Sequence, residues 1–181
     1  LREIKSAQEV EEIESAVDLT GAMILAAALT IGPGKSELDV VAATECAVCG
    51  TTRLGFPAIL TSKGCYLHCG SHDFVMQEDD LIVQDCGARS SNYYCADITR
   101  TFPVAGKFSG RQKEIYEAVR GAQEVALGHM RPGISFTETH RRACLYLCNC
   151  LKDLRVMKGD AETAVELGAH ALFFPCGLGH P

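Results

Sequence analysis

Three features of this sequence predict an α+β fold built from two copies of a helix–helix–strand unit. Hydroxyl residues stand three positions before a carboxylate or amide at the start of four helix-like segments, the pattern of N-terminal caps. A helix-breaking x-Pro-Gly-x-Ser segment occurs at Pro33-Gly34-Lys35-Ser36 and returns at Pro132-Gly133-Ile134-Ser135, 99 positions later. Short apolar or alternating runs between Phe56 and Val104, punctuated by glycine and polar turns, read as strands.

In chain order, Ser6 and Glu9 form a capping box, and Val10, Ile13, Val17, Met23, Ile24 and Ala27 give the first helix an apolar stripe. Gly32, Pro33 and Gly34 end it, and Ser36 with Asp39 caps a second helix running to about Gly50. Strands follow at 56–61, 65–69, 80–86 and 93–104, the last two joined as a hairpin across Arg89-Ser90-Ser91-Asn92. Ser109 and Gln112 cap a third helix carrying Ile115, Val119, Val125 and Met130. Ser135 and Glu138 cap a fourth, reaching about Leu154. An extended apolar segment, Ala171 to Phe174, leads to Gly177-Leu178-Gly179-His180. Each helix pair is followed by Phe-Pro, at Phe56-Pro57 and Phe174-Pro175. In the first copy 47 residues follow through Val104, in the second only six, so the second unit is expected to be incomplete and the natural protein to continue past Pro181.

Composition excludes several classes. The chain has 181 residues, 47% apolar and 22% charged, enough for a real core and not the composition of a disordered chain. A net charge of -6 with no basic run argues against a nucleic-acid partner. The most apolar run, Ala22 to Ile31, is half the roughly 20 residues a spanning helix needs, and an acidic segment precedes it, so neither membrane nor signal peptide is expected. The ten cysteines are read as reduced, mostly buried small side chains of a cytoplasmic protein. A zinc knuckle at Cys46, Cys49, Cys65 and Cys69 is set aside on spacing.

Asp85 ends the apolar run Leu81-Ile82-Val83-Gln84 and Asp97 falls on the partner strand. Aspartate is disfavoured in strands, and two carboxylates facing across one hairpin repel unless a cation lies between them. The plain alternative is one turn cap and one solvated side chain. His180 follows two glycines that let a backbone approach closely, and imidazole is a common metal ligand. His68 sits in an alternating segment. His72, His129, His140 and His170 show no usable pattern.

Together Gly55-Phe56-Pro57-Ala58-Ile59, Leu67-His68, Asp85-Cys86-Gly87, Ala96-Asp97 through Val104, Gly106-Lys107-Phe108 and Gly177-Leu178-Gly179-His180 resemble the Xaa-Pro aminopeptidase (aminopeptidase P) and prolidase family, relatives of creatinase and methionine aminopeptidase. The resemblance covers nearly the whole chain. It implies a pita-bread fold, with duplicated units in pseudo-two-fold symmetry around a curved antiparallel sheet. It also implies that residues 1–181 are a catalytic metallopeptidase domain lacking the family's N-terminal domain and its last segment. Asp85, Asp97 and His180 would be metal ligands, Asp97 bridging two divalent ions, with manganese favoured and cobalt, iron or zinc as alternatives. His68 would contact substrate and assist catalysis. Cys176 stands where the family usually has a substrate-contacting histidine. The implied reaction is metal-assisted hydrolysis of the bond before a proline in second position, the ions lowering the pKa of a water.

Two glutamate ligands of the family lie beyond its Gly-Leu-Gly-His segment, so this chain alone is expected to be inactive. Asp85 and Asp97 stand 12 positions apart, one more than in many relatives, which a longer turn at Arg89–Asn92 would absorb. The resemblance leaves a homodimer open. The competing readings are a catalytically dead module of the same fold that binds peptide or protein, and another hydrolase of that fold.

Overall fold

The structure is a computed structural model that describes residues 3–64 and 73–180. The predicted strand at 65–69 lies outside them. The chain divides into two compact units, Leu1–Phe108 and Ser109–Pro181.

The first unit opens with helix α1 (Ala7–Thr30) and helix α2 (Glu37–Cys46), each started by a complete capping box, Ser6 with Glu9 and Ser36 with Asp39. Gly34 takes φ +81, the left-handed turn that reverses the chain between them. Strands β1 (Ile59–Thr61), β2 (Leu81–Cys86) and β3 (Ile98–Pro103) form an antiparallel sheet in that order. Ile82, Gln84 and Cys86 point to its helix-covered face, as the period of two requires. There Ile82 packs with Ala27, Val40, Val41, Leu60 and Met76, and Cys86 with Met23, Val48, Ala58 and Ala88. Burying each large aliphatic side chain contributes roughly 1.5–3 kcal/mol. Thr20 joins helix to hairpin: its hydroxyl donates to the Ala16 carbonyl (2.7 Å) and accepts the Ala88 N–H (2.9 Å).

The second unit repeats the opening. Helix α3 (Gly110–His129) has the Ser109–Gln112 capping box, and helix α4 (Phe136–Asp153) begins at Ser135, whose hydroxyl accepts the Glu138 N–H. Gly133 takes φ +90, and the Ile134 N–H bonds to the Arg131 carbonyl just as that of Lys35 bonds to Gly32. The duplicated turn is therefore real in backbone geometry. Helix α5 (Ala161–Glu166) and a 3-10 helix (Ala169–Leu172) follow.

Several expectations change. The second helix ends at Cys46 rather than Gly50, because the chain tightens into i→i+3 bonds from Glu45 and Cys46 before Gly50 turns it. Ala171 to Phe174 is not extended: Gly168 at φ +75 reverses the chain into the 3-10 helix, with Phe173 and Phe174 both bonded to the His170 carbonyl. In α3 the buried residues are Ala118, Gly121, Ala122 and Ala126, while Val119 is 57% exposed. Helices that approach closely put small residues at the contact, so Val119 and Met130 of the predicted stripe lie exposed while Ile115 and Val125 are only partly buried. Helix α1 is also long and apolar enough to cross a membrane by length and composition, which the ten-residue run alone did not suggest. Its Met23 and Ala27 are fully buried within the first unit. Of the eight described cysteines, all are free thiols, but Cys46, Cys49, Cys95 and Cys176 are exposed, so they are not mostly buried.

Candidate metal centre

Asp85 is the fifth residue of β2, half-buried, between Ile59 of β1 and Thr99 of β3. Asp97 is exposed and stands one residue before β3 rather than inside it. The ladder runs from Leu81↔Pro103 to Cys86↔Ile98, and the bridge Arg89↔Cys95 continues it in the same register. No residue is gained or lost between them, so the position opposite Asp97 is Gly87, two on from Asp85. Residues two apart share a face, which makes Asp85 and Asp97 diagonal neighbours on the face turned away from α1 and α2. The ladder thus reaches the turn without a bulge. Ser90 and Tyr94 close it through a backbone bond of 2.7 Å, and Tyr93 takes φ +71.

Gly87 makes this approach possible. A Cβ there would collide with the Ala96 carbonyl and come within 2.9 Å of the Phe56 ring. The backbone before Asp97 thus lies directly against the backbone after Asp85. The two carboxylates also share an electrostatic neighbour: the Cys86 thiol is pushed up to about 12, first by burial, then by the charges of Asp85 and Asp97. Two carboxylates on one sheet face form a hard oxygen donor set suited to a divalent cation.

A buried carboxylate secures the next segment. Glu37 is fully buried and accepts the Ser62 N–H (2.5 Å) and hydroxyl (2.8 Å). Ser62 leads toward His68, which lies outside the described residues.

His180 and Cys176 belong to the second unit, both exposed, beyond the 3-10 helix. That unit also gathers side chains that sequence patterns passed over. His140 and Cys144 are one turn apart on α4, and the 3-10 helix adds His170. The i,i+4 spacing of His140 and Cys144 was the available signal; the third member is contributed by a distant segment.

Fold and hairpin together define an α+β chain with two carboxylates on one sheet face. The sequence profile of metallopeptidase family M24 matches residues 11–181, and the chain belongs to that family. It is 33% identical to the Xaa-Pro aminopeptidase of Haemophilus influenzae over 99% of its own length and 43% of that protein's. It superposes with a TM-score of 0.93 and 31% identity on Escherichia coli aminopeptidase P, both in a glutamate-to-alanine variant complexed with substrate and in a zinc-substituted form complexed with product. Each match covers 99% of this chain and 41% of the other. The chain thus spans about two fifths of the length of these relatives, and its α+β architecture is that of part of the pita-bread fold.

Proposed function

We propose that this chain forms part of the catalytic core of an Xaa-Pro aminopeptidase, which removes an N-terminal residue when proline follows it. The observation that carries the reading is the placement of Asp85 and Asp97 on one face of the β2–β3 hairpin, in a chain of family M24. Their carboxylates suit two divalent ions, manganese foremost, with His180 as an imidazole ligand. Bound ions would supply an activated water and polarise the scissile carbonyl. Asp97 would be one of the residues that hold the ions, its backbone fixed by the contact across Gly87. His68 would donate to the substrate carbonyl oxygen, and Cys176 would contact the substrate. The equivalent Gly34 and Gly133 turns support a duplicated fold with pseudo-two-fold symmetry. A reducing, cytoplasmic setting is part of the proposal, drawn from the cysteine usage of the sequence.

The test is hydrolysis of Xaa-Pro dipeptides and tripeptides by the full-length protein with added manganese, beside Asp97→Ala. Release of the first residue, reduced at least about a hundredfold in Asp97→Ala, is expected. Release from the tripeptide alone selects aminopeptidase P over prolidase. A folded protein inactive with manganese, cobalt, iron and zinc would overturn the reading in favour of a binding module.

A further inference from the structure

The second unit contains a set of potential ligands unlike the carboxylates of the hairpin. One ring nitrogen each from His140 and His170 and the sulfur of Cys144 all lie within 4.8 Å of one another. Cys144 Sγ is 3.4 Å from His140 Nε2. The two imidazole centroids are 6.1 Å apart, edge to face. In a tetrahedral zinc site, bond lengths of about 2.3 Å to sulfur and about 2.0 Å to nitrogen place neighbouring ligands roughly 3.3–3.6 Å apart. Cys144 and His140 are thus at the separation of neighbouring ligands on a single ion, with His170 within reach.

Burial is the second, independent observation. Cys144 is fully buried, and the Nδ1 atoms of both His140 and His170 are buried with no hydrogen-bond partner among the described residues. At His170 an ion bound through Nδ1 would offset the cost of burying that nitrogen, whereas His140 presents Nε2, not Nδ1, to the sulfur. Phe174 closes one side of the cluster, its ring 5.3 Å from that of His140.

We propose that His140, Cys144 and His170 form a zinc(II) site with three protein ligands and a fourth position open to water or an exogenous ligand. Two imidazoles and a thiolate select a borderline or soft cation over manganese or magnesium, in contrast to the oxygen donors of Asp85 and Asp97. On binding, the Cys144 S–H bond breaks, an S–Zn bond forms and the proton passes to solvent, with no change of oxidation state. The ion would clip α4 to the 3-10 helix, six residues from the start of which the chain reaches Pro175 and then Gly177–His180. Zinc occupancy would therefore stiffen the segment carrying His180.

The experiment titrates the full protein with cobalt(II) as spectroscopic probe, then competes with zinc. It compares wild type with Cys144→Ala, His170→Gln, the pair Asp85→Ala/Asp97→Ala, and the pair Cys46→Ala/Cys49→Ala, circular dichroism confirming that each is folded. A thiolate-to-cobalt charge-transfer band is expected in wild type and in both paired variants, and absent in Cys144→Ala. His170→Gln, at a partly exposed position, should bind zinc at least about tenfold more weakly and keep the fold. Hydrogen exchange across 169–180 should slow on adding zinc to wild type and be unchanged in Cys144→Ala. No band in wild type, a band surviving Cys144→Ala, or one lost with Cys46→Ala/Cys49→Ala would overturn the proposal. Since none of these readouts is peptidase activity, failure here and failure of the Xaa-Pro reading are separable.

Discussion

The two units begin alike and diverge after their second helix. In each, a long helix meets a left-handed glycine, Gly34 or Gly133, and a serine cap restarts the chain. In the first unit α2 has 10 residues and the chain turns into a hairpin sheet; in the second α4 has 18 and two short helices follow. The first unit's core is sheet against helix, whereas the second's is helix against helix, with Ala118 and Ala122 packed on Leu147 and Leu151. Equal local signals thus support unequal tertiary structures. What a glycine or a cap contributes depends on what its surroundings allow.

Glycine substitution should show the largest contrast. Gly87→Ala drives a methyl group into the Ala96 backbone, which cannot swing away, and should destabilise the first unit by about 3 kcal/mol while displacing Asp97. Gly121→Ala, inside α3, meets the outer end of the Tyr146 ring, a 37% exposed side chain rather than backbone, so a change under about 1 kcal/mol is expected. Urea denaturation measures both, and equal effects would remove the distinction between backbone and side-chain contact.

Capping offers a smaller test. Ser36 receives the Asp39 N–H while the Asp39 carboxylate returns to the Ser36 N–H at 2.8 Å. At the equivalent Ser135 the partner carboxylate, Glu138, instead engages Arg142 at 3.0 Å, leaving a single cap bond. Ser36→Ala should cost about 1 kcal/mol and Ser135→Ala somewhat less, by thermal denaturation. A larger loss at Ser135 would contradict the role assigned to the reciprocal bond.

The smallest effect is acid loosening of the hairpin turn. The backbone and hydroxyl of Ser6, with Tyr94, hold Glu9 below its usual carboxylate value, and Ser90 and Asn92 do the same for Glu12. Lowered carboxylates stabilise the fold above their unfolded values, near pH 4.5, and that contribution disappears as pH falls through the folded ones. Hydrogen exchange at Ser90–Tyr94 should therefore accelerate below about pH 4.5, and Glu9→Gln should remove part of the response. Exchange independent of pH, after correction for intrinsic rates, would show that these contacts do not hold the turn.

Much of the fold was legible because its signals are local. A cap involves residues three apart, a Pro-Gly break involves neighbours, and strand alternation repeats every second residue, which is why Ser6, Ser36, Ser109 and Ser135 all begin helices as read. The buried stripe of α3 was less legible, because periodicity highlights Val119 while close helix packing selects Ala118, Gly121 and Ala122. Of the candidate site, Asp85 and Asp97 stood out as carboxylates among strand residues. His140, Cys144 and His170 did not, since His170 is brought to the pair only by the reversal at Gly168.

The sequence by itself determined the order of helices α1 to α4 around the hairpin, the duplicated turn, the family and the identity of the hairpin carboxylates, all of which depend on residue types at short separations. Tertiary structure alone decided that Asp85 and Asp97 share a face, that Gly87 admits the Ala96 backbone, and that two histidines and a cysteine converge. The physical reason is that register and close packing are settled by contacts between segments far apart in the chain, and no local propensity encodes which partner a segment will meet.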